Sequence, residues 1–134
     1  FLGSRGGTCV AGERCFDARD VAAERRFDDV IYRMALTDDT GRLIGPSCDV
    51  PYRVMLPRAV DGLLCAGRSA SHRRLLRTRP NCMTMGHAAG IAAALAAETG
   101  KPLRDIPLRD FQRRLLRDGF FLGEEDRLQE MRLR

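Results

Sequence analysis

The stretch Leu63–Ala97, LLCAGRSASHRRLLRTRPNCMTMGHAAGIAAALAA, governs how the whole 134-residue chain is read. It continues from Gly62, and Gly62–Gly67 (GLLCAG) is an apolar run bounded by glycine at both ends, the pattern of a buried strand that stops abruptly. A polar, arginine-rich loop or short helix follows over Ser69–Arg79. Asn81 or Thr84 then has the chemistry of an N-cap, and a long helix is predicted to about Thr99, with Gly100 past its end and Pro102 beyond. The first amides of such a helix lack intrahelical partners and carry partial positive charge, so they favour an anionic or electron-rich ligand atom. Gly86, Ala88, Ala89 and Gly90 are small enough for a neighbouring backbone or a flat ring to come close. A helix of this composition also suits plain burial, and on spacing alone core packing is the favoured reading.

Outward from that stretch the punctuation is regular. Thr8–Phe16 reads as a short strand with a glycine break, and Asp17 as the cap of a following helix with Asp20 and Glu24 in or near its first turns. Asp28–Met34 reads as a strand, residues 37–46 as turn-rich, and Val50–Leu56 as a strand ending at Pro57. Downstream, Leu108, Phe111, Leu115 and Leu116 share one face of an amphipathic helix over Leu108–Asp118 that Gly119 ends. The sequence from Gly123 onward is expected to be a charged tail, with at most a frayed helix.

Composition narrows the function classes. With 44% hydrophobic and 31% charged residues the chain is globular, not disordered. Its net charge of +5 is carried almost wholly by arginine, Lys101 being the one lysine, and is mixed with 18 Asp and Glu. A solvated arginine surface is therefore favoured over a nucleic-acid footprint, although Arg68–Arg79 and the region around Arg113 are locally basic. Cys9, Cys15, Cys48, Cys65 and Cys82 are odd in number, without Cys-x-x-Cys spacing, which argues against a disulfide framework or a zinc site and for a reducing, cytoplasmic compartment. The longest apolar stretch, Cys82–Ala97, is too short for a membrane span and is interrupted by His87. Paired carboxylates such as Asp28-Asp29 and Glu124-Glu125 read as solvated turns.

The order YRVMLPRAVDGLLCAGR (Tyr52–Arg68), then RTRPNCMTMGHAAGIAAALA (Arg77–Ala96), resembles the C-terminal signature of a family of FAD-dependent oxidoreductases. The likeness reaches back to Gly3, Arg5, Val10 and Gly12 and forward to about Leu122, with the flanks less specific than the middle. It implies an α/β fold: the C-terminal part of a Rossmann-type FAD-binding domain over 1–122, its sheet incomplete, with a buried helix, a C-terminal amphipathic helix and a charged tail over 123–134. It implies FAD as cofactor and hydride or electron transfer to or from an unknown small-molecule substrate; no metal is expected, from the cysteine spacing and the presence of only two histidines. Gly67 and Arg68 match the family's strand-end Gly-Arg beside the FAD, and Arg77 matches an arginine of the loop before the helix. Asn81, Cys82, Met83 and Gly86 match the helix start facing the pyrimidine edge of the isoalloxazine, where the helix dipole stabilises charge on the reduced ring. His87 stands where many relatives have glutamine, and the catalytic acid or base is not readable.

The chain departs from that pattern in three places. No glycine-rich dinucleotide fingerprint is present, since the glycines of Gly3–Thr8 lack the required spacing. Gly6 and Thr8 stand where the family has an acidic residue and a second arginine, and the loop between Arg68 and Arg77 is short. The expectation is thus one part of an oxidoreductase, not active alone, whose N-terminal FAD-binding part is supplied in cis or by a separate subunit. A non-catalytic polyanion-binding module built on the Arg68–Arg79 surface, or an inactive fragment, is the alternative.

Overall fold

In the computed structural model, which describes residues 8–37, 40, 42–73 and 75–134, helices gather around a two-stranded antiparallel sheet. The elements are α1 (Ala18–Ala22), β1 (Val30–Thr37), β2 (Leu43–Pro51), α2 (Arg79–Thr99), α3 (Leu108–Arg117) and α4 (Glu125–Glu130). Short 3-10 turns lie at Tyr52–Met55, Gly67–Ser69 and Leu103–Asp105. Helix α1 starts as its sequence dictates: Asp17 accepts from the Arg19 amide at 2.8 Å while the Asp20 carboxylate accepts from the Asp17 amide at 3.2 Å, a reciprocal capping box.

The sheet differs from the reading of its second half. The segment expected as turn-rich over 37–46 contributes its last residues to β2, which pairs Tyr32 with Val50, Arg33 with Asp49 and Ala35 with Ser47. Pro46 has no N–H to offer a ladder, and the register slips between the Ala35 and Thr37 pairs, where a proline is tolerated. The strand expected over Val50–Leu56 stops at Pro51, and Tyr52–Met55 coils into a 3-10 turn instead. The cause is Asp29: its backbone oxygen accepts from the Tyr52 amide at 2.7 Å, and its carboxylate accepts from the Arg53 amide at 3.0 Å. The same carboxylate takes both ends of the Arg53 guanidinium at 2.9 Å, so Asp29 is a buried anchor and not a solvated turn.

Two further expected strands are absent. Residues 8–16 are irregular, tied down by isolated bridges from Gly12 to Pro57 and from Phe16 to His72. Residues 62–66 run as irregular chain, with Leu63 exposed and the Cys65 amide bonded to the Met55 oxygen at 2.9 Å. An apolar run without a partner strand packs its side chains and leaves the backbone unladdered. Gly3 and Arg5 lie outside the described residues.

Helices α2 and α3 pack on each other and on β1. Helix α2 was expected to be buried; it buries only the stripe Met85, Ala88, Ala92 and Leu95, and exposes Met83, Gly86, Gly90, Ala93, Ala94 and Ala97 on the opposite side. It ends as predicted, at Gly100 with φ +65°. Helix α3 buries Phe111, tilted against Tyr52 at 5.2 Å, and Gln112, whose side-chain amide donates to the Asp28 and Val30 oxygens at 2.8 and 3.1 Å. The segment expected as a charged tail forms α4, and Leu128, Met131 and Leu133 are buried in the same core as Phe16, Ile31 and Phe111.

Candidate functional site

Gly67 sits where the irregular 62–66 segment meets the start of α2. It is buried with φ +61°, a conformation that glycine adopts without strain. A side-chain carbon placed on it would lie 2.9 Å from Cys82 Sγ and 3.2 Å from Cys82 Cβ. The structure thus brings Gly67 and Cys82 into direct contact, and Cys82 Sγ lies 3.8 Å from the Leu76 oxygen. Cys82 is a half-buried packing thiol at this junction.

His72 locks the loop that leads into the helix. Its Nδ1 accepts from the Leu76 amide at 3.3 Å, which leaves Nε2 as the protonated nitrogen, donating to the Gly67 oxygen at 3.1 Å. Burial pushes the imidazole below its ordinary 6.5, opposed by the bond to the Gly67 carbonyl. With its folded value depressed, the unfolded chain binds a proton that the folded chain resists. The contribution of neutral His72 to stability is therefore complete above about pH 6.5 and is lost as pH falls below that. Urea unfolding at about pH 7.5 and about pH 5.5 is expected to show a smaller pH dependence in His72→Asn than in the parent chain.

Asn81 is held from two sides. Its Oδ1 accepts from the Tyr32 hydroxyl at 3.1 Å, and its Nδ2 donates to Thr78 Oγ1 at 3.0 Å. Burial raises the Tyr32 phenol above its usual range, so it stays protonated and able to donate. Asn81, one candidate, is thereby fixed to β1. No capping bond from the side chain of Thr78, the residue before α2, reaches the helix amides, and Pro80 in the first turn has no N–H. Met83 is 74% exposed, and nothing lies within 4 Å of the position a Gly86 side chain would take. Arg68 and Arg77 are exposed, and each is engaged in an interaction.

The candidates thus fall into two groups. Gly67, Cys82 and Asn81 form a connected junction at the helix start, while Met83 and Gly86 face outward from it. Sequence reasoning missed Tyr32, which a lone aromatic in a strand gives no reason to single out, and the role of His72 as a two-sided clamp. It also missed a pair on the flank of α2: His87 Nε2 stands 2.9 Å from Asp118 Oδ2, and its ring meets Phe120 edge-on at 5.0 Å. Among the described residues no group of three or more His, Cys, Asp or Glu is placed to hold a metal, and no helix is long and apolar enough to cross a membrane.

Neither a curated protein nor a solved structure matches this chain. The family model for FAD dependent oxidoreductase matches residues 2–115, a span that takes in the junction at Gly67, all of α2 and most of α3. The chain belongs to the FAD dependent oxidoreductase family, whose cofactor is FAD.

Proposed function

We propose that this chain is the C-terminal, flavin-side part of an FAD-dependent oxidoreductase with a Rossmann-type FAD domain, residues 1–122 forming that part and 123–134 closing its core. The observation that carries the reading is the start of α2: a 21-residue helix without a side-chain cap, fixed against Gly67 and Tyr32, lying inside the family match. FAD, when bound, supplies two-electron chemistry at its isoalloxazine.

Gly67 lets α2 approach without a side chain between, and Cys82 fills the contact. Asn81 keeps the first turn of α2 aligned with β1, so the helix start is pre-positioned by the fold. The first-turn amides carry the positive end of a long helix dipole, suited to an electron-rich ring edge. Met83 and the bare backbone at Gly86 offer a surface on which a flat ring can lie. Arg68 and Arg77 are suited to phosphate or ribityl oxygens, as planar bidentate donors. These residues fit the ring side of FAD; the diphosphate is a different matter, because no glycine-rich dinucleotide loop occurs in the 134 residues.

The outward side of α2 supports a larger assembly. A solvated helix face ordinarily carries charges, whereas Gly90, Ala93, Ala94 and Ala97 present none. That side suits the remaining FAD-binding part, in cis or as a separate subunit. The chain alone is expected to take up FAD weakly or not at all in a fluorescence titration. Stoichiometric retention of FAD through gel filtration of the 134 residues alone would contradict the division of the site.

A further inference from the structure

The pair His87–Asp118 belongs to a groove that shares Tyr32 and Met83 with the flavin-side reading and extends beyond them to residues which that reading does not use. Strand β1, the first half of α2 and the turn after α3 border an open groove of about 530 Å³, where Tyr32, Met83, Phe120 and Phe121 stand beside the polar Arg33, Thr84, His87 and Asp118. Three of the chain's eight Phe and Tyr residues therefore converge on one groove. Met83 and Phe121 are 74% and 50% exposed, large apolar side chains left facing solvent within it. A groove of this size that combines aromatic and thioether surface with a few polar groups has the character of a small-molecule site.

The polar pair has a defined orientation. Asp118 Oδ2 accepts from Nε2–H of His87, so the neutral ring keeps its lone pair on Nδ1. Phe120 meets the ring at 67° and restricts its rotation. Asp118 is itself fixed as the C-cap of α3, its amide bonded to the Arg114 and Leu115 oxygens, both at 3.1 Å. A histidine oriented by a carboxylate beside an aromatic wall is arranged to accept a hydrogen bond, and a proton, from a ring-borne donor.

We propose that this groove is the substrate-side site and takes a planar aromatic ring bearing a protic O–H or N–H, stacked between Met83 and Phe121, with the donor directed to His87 Nδ1. Asp118 is a positioning residue that acts through His87. The naming of this as the substrate side rests on the flavin reading above; the binding itself does not.

The test uses p-cresol and 4-methylanisole, of matched shape, one with the proton and one capped by methyl. Each is titrated into the full 134-residue chain while the Met83 methyl and His87 ring signals are followed by NMR. The expected result is saturable shifts at both residues and roughly three- to tenfold tighter binding of p-cresol, the order expected of one hydrogen bond to a half-exposed imidazole. In His87→Leu the two probes should bind alike and in Asp118→Ala the difference between them should shrink, with 4-methylanisole affinity held as the control for folding; Phe121→Ala should weaken both. Equal affinity of the two probes for the parent chain would overturn the proposal, as would shifts that bypass Met83 and His87. Displacement of p-cresol by lumiflavin would also overturn it, by showing that the groove belongs to the cofactor ring. Because no arm depends on FAD uptake, its failure is separable from failure of the flavin-side reading.

Discussion

Leu128→Ala lowers the unfolding free energy by about 3 kcal/mol in urea, as expected for a leucine removed from a packed core that relaxes only in part. Leu128 is 4% exposed, and Met131 and Leu133 beside it are 3% and 7% exposed. The short helix and the turn after it are held by more than apolar contact. The Leu133 amide returns to the Leu128 oxygen at 2.9 Å, and the Arg113 guanidinium on α3 donates to the Arg132 oxygen at 3.0 Å. A frayed, solvated tail would respond to the same substitution by no more than about 0.5 kcal/mol. An unchanged denaturation midpoint would therefore restore the reading of 123–134 as a charged tail.

Gly67→Val is expected to cost about 3 kcal/mol or more, and to do so at the junction that positions α2. Two penalties act together. A β-branched residue at φ +61° is a true backbone outlier, at about 1–3 kcal/mol, and its Cβ would stand 2.9 Å from Cys82 Sγ. Cys82 is short, so relief requires a shift of the helix itself. Gly67→Val combined with Cys82→Ala should recover part of the loss, because the substitution removes the Sγ that the new side chain meets while the backbone strain remains. The double variant matching the sum of the single variants would show that the two residues do not press on each other.

The history of these two sites in the sequence differs. The body and end of α2 were legible because their signals are local, an alanine-rich run and Gly100 at the left-handed end, whereas its N-cap is Thr78 and not the expected Asn81 or Thr84, both of which lie inside the helix. Helix α3 and the capping box at Asp17 were legible for the same reason. Gly67 was picked out only through resemblance, and the structure supplies the physical reason in its positive φ and its contact with Cys82. The apolar run before it misled, since a strand needs a neighbour to pair with and 62–66 has none. Asp29 misled in the other direction: two adjacent aspartates look solvated, yet one of them is buried because Arg53, 24 residues away, reaches it with two nitrogens. Non-local pairings of this kind, like His87 with Asp118 across 31 residues, leave no periodic trace. Leu128, Met131 and Leu133 were hidden by the charges between them, although their spacing of three and two residues already places them near one another on a turn of helix and its exit.

The central claim is that this chain works as part of a flavoprotein, and the visible absorption spectrum of the protein recovered from its native host through a C-terminal tag tests it most directly. The account predicts the absorption bands of oxidised flavin, bleached on reduction, in material where the chain is joined to or accompanied by the remaining FAD-binding part. A colourless preparation at full recovery, with no added flavin restoring the bands, would contradict it.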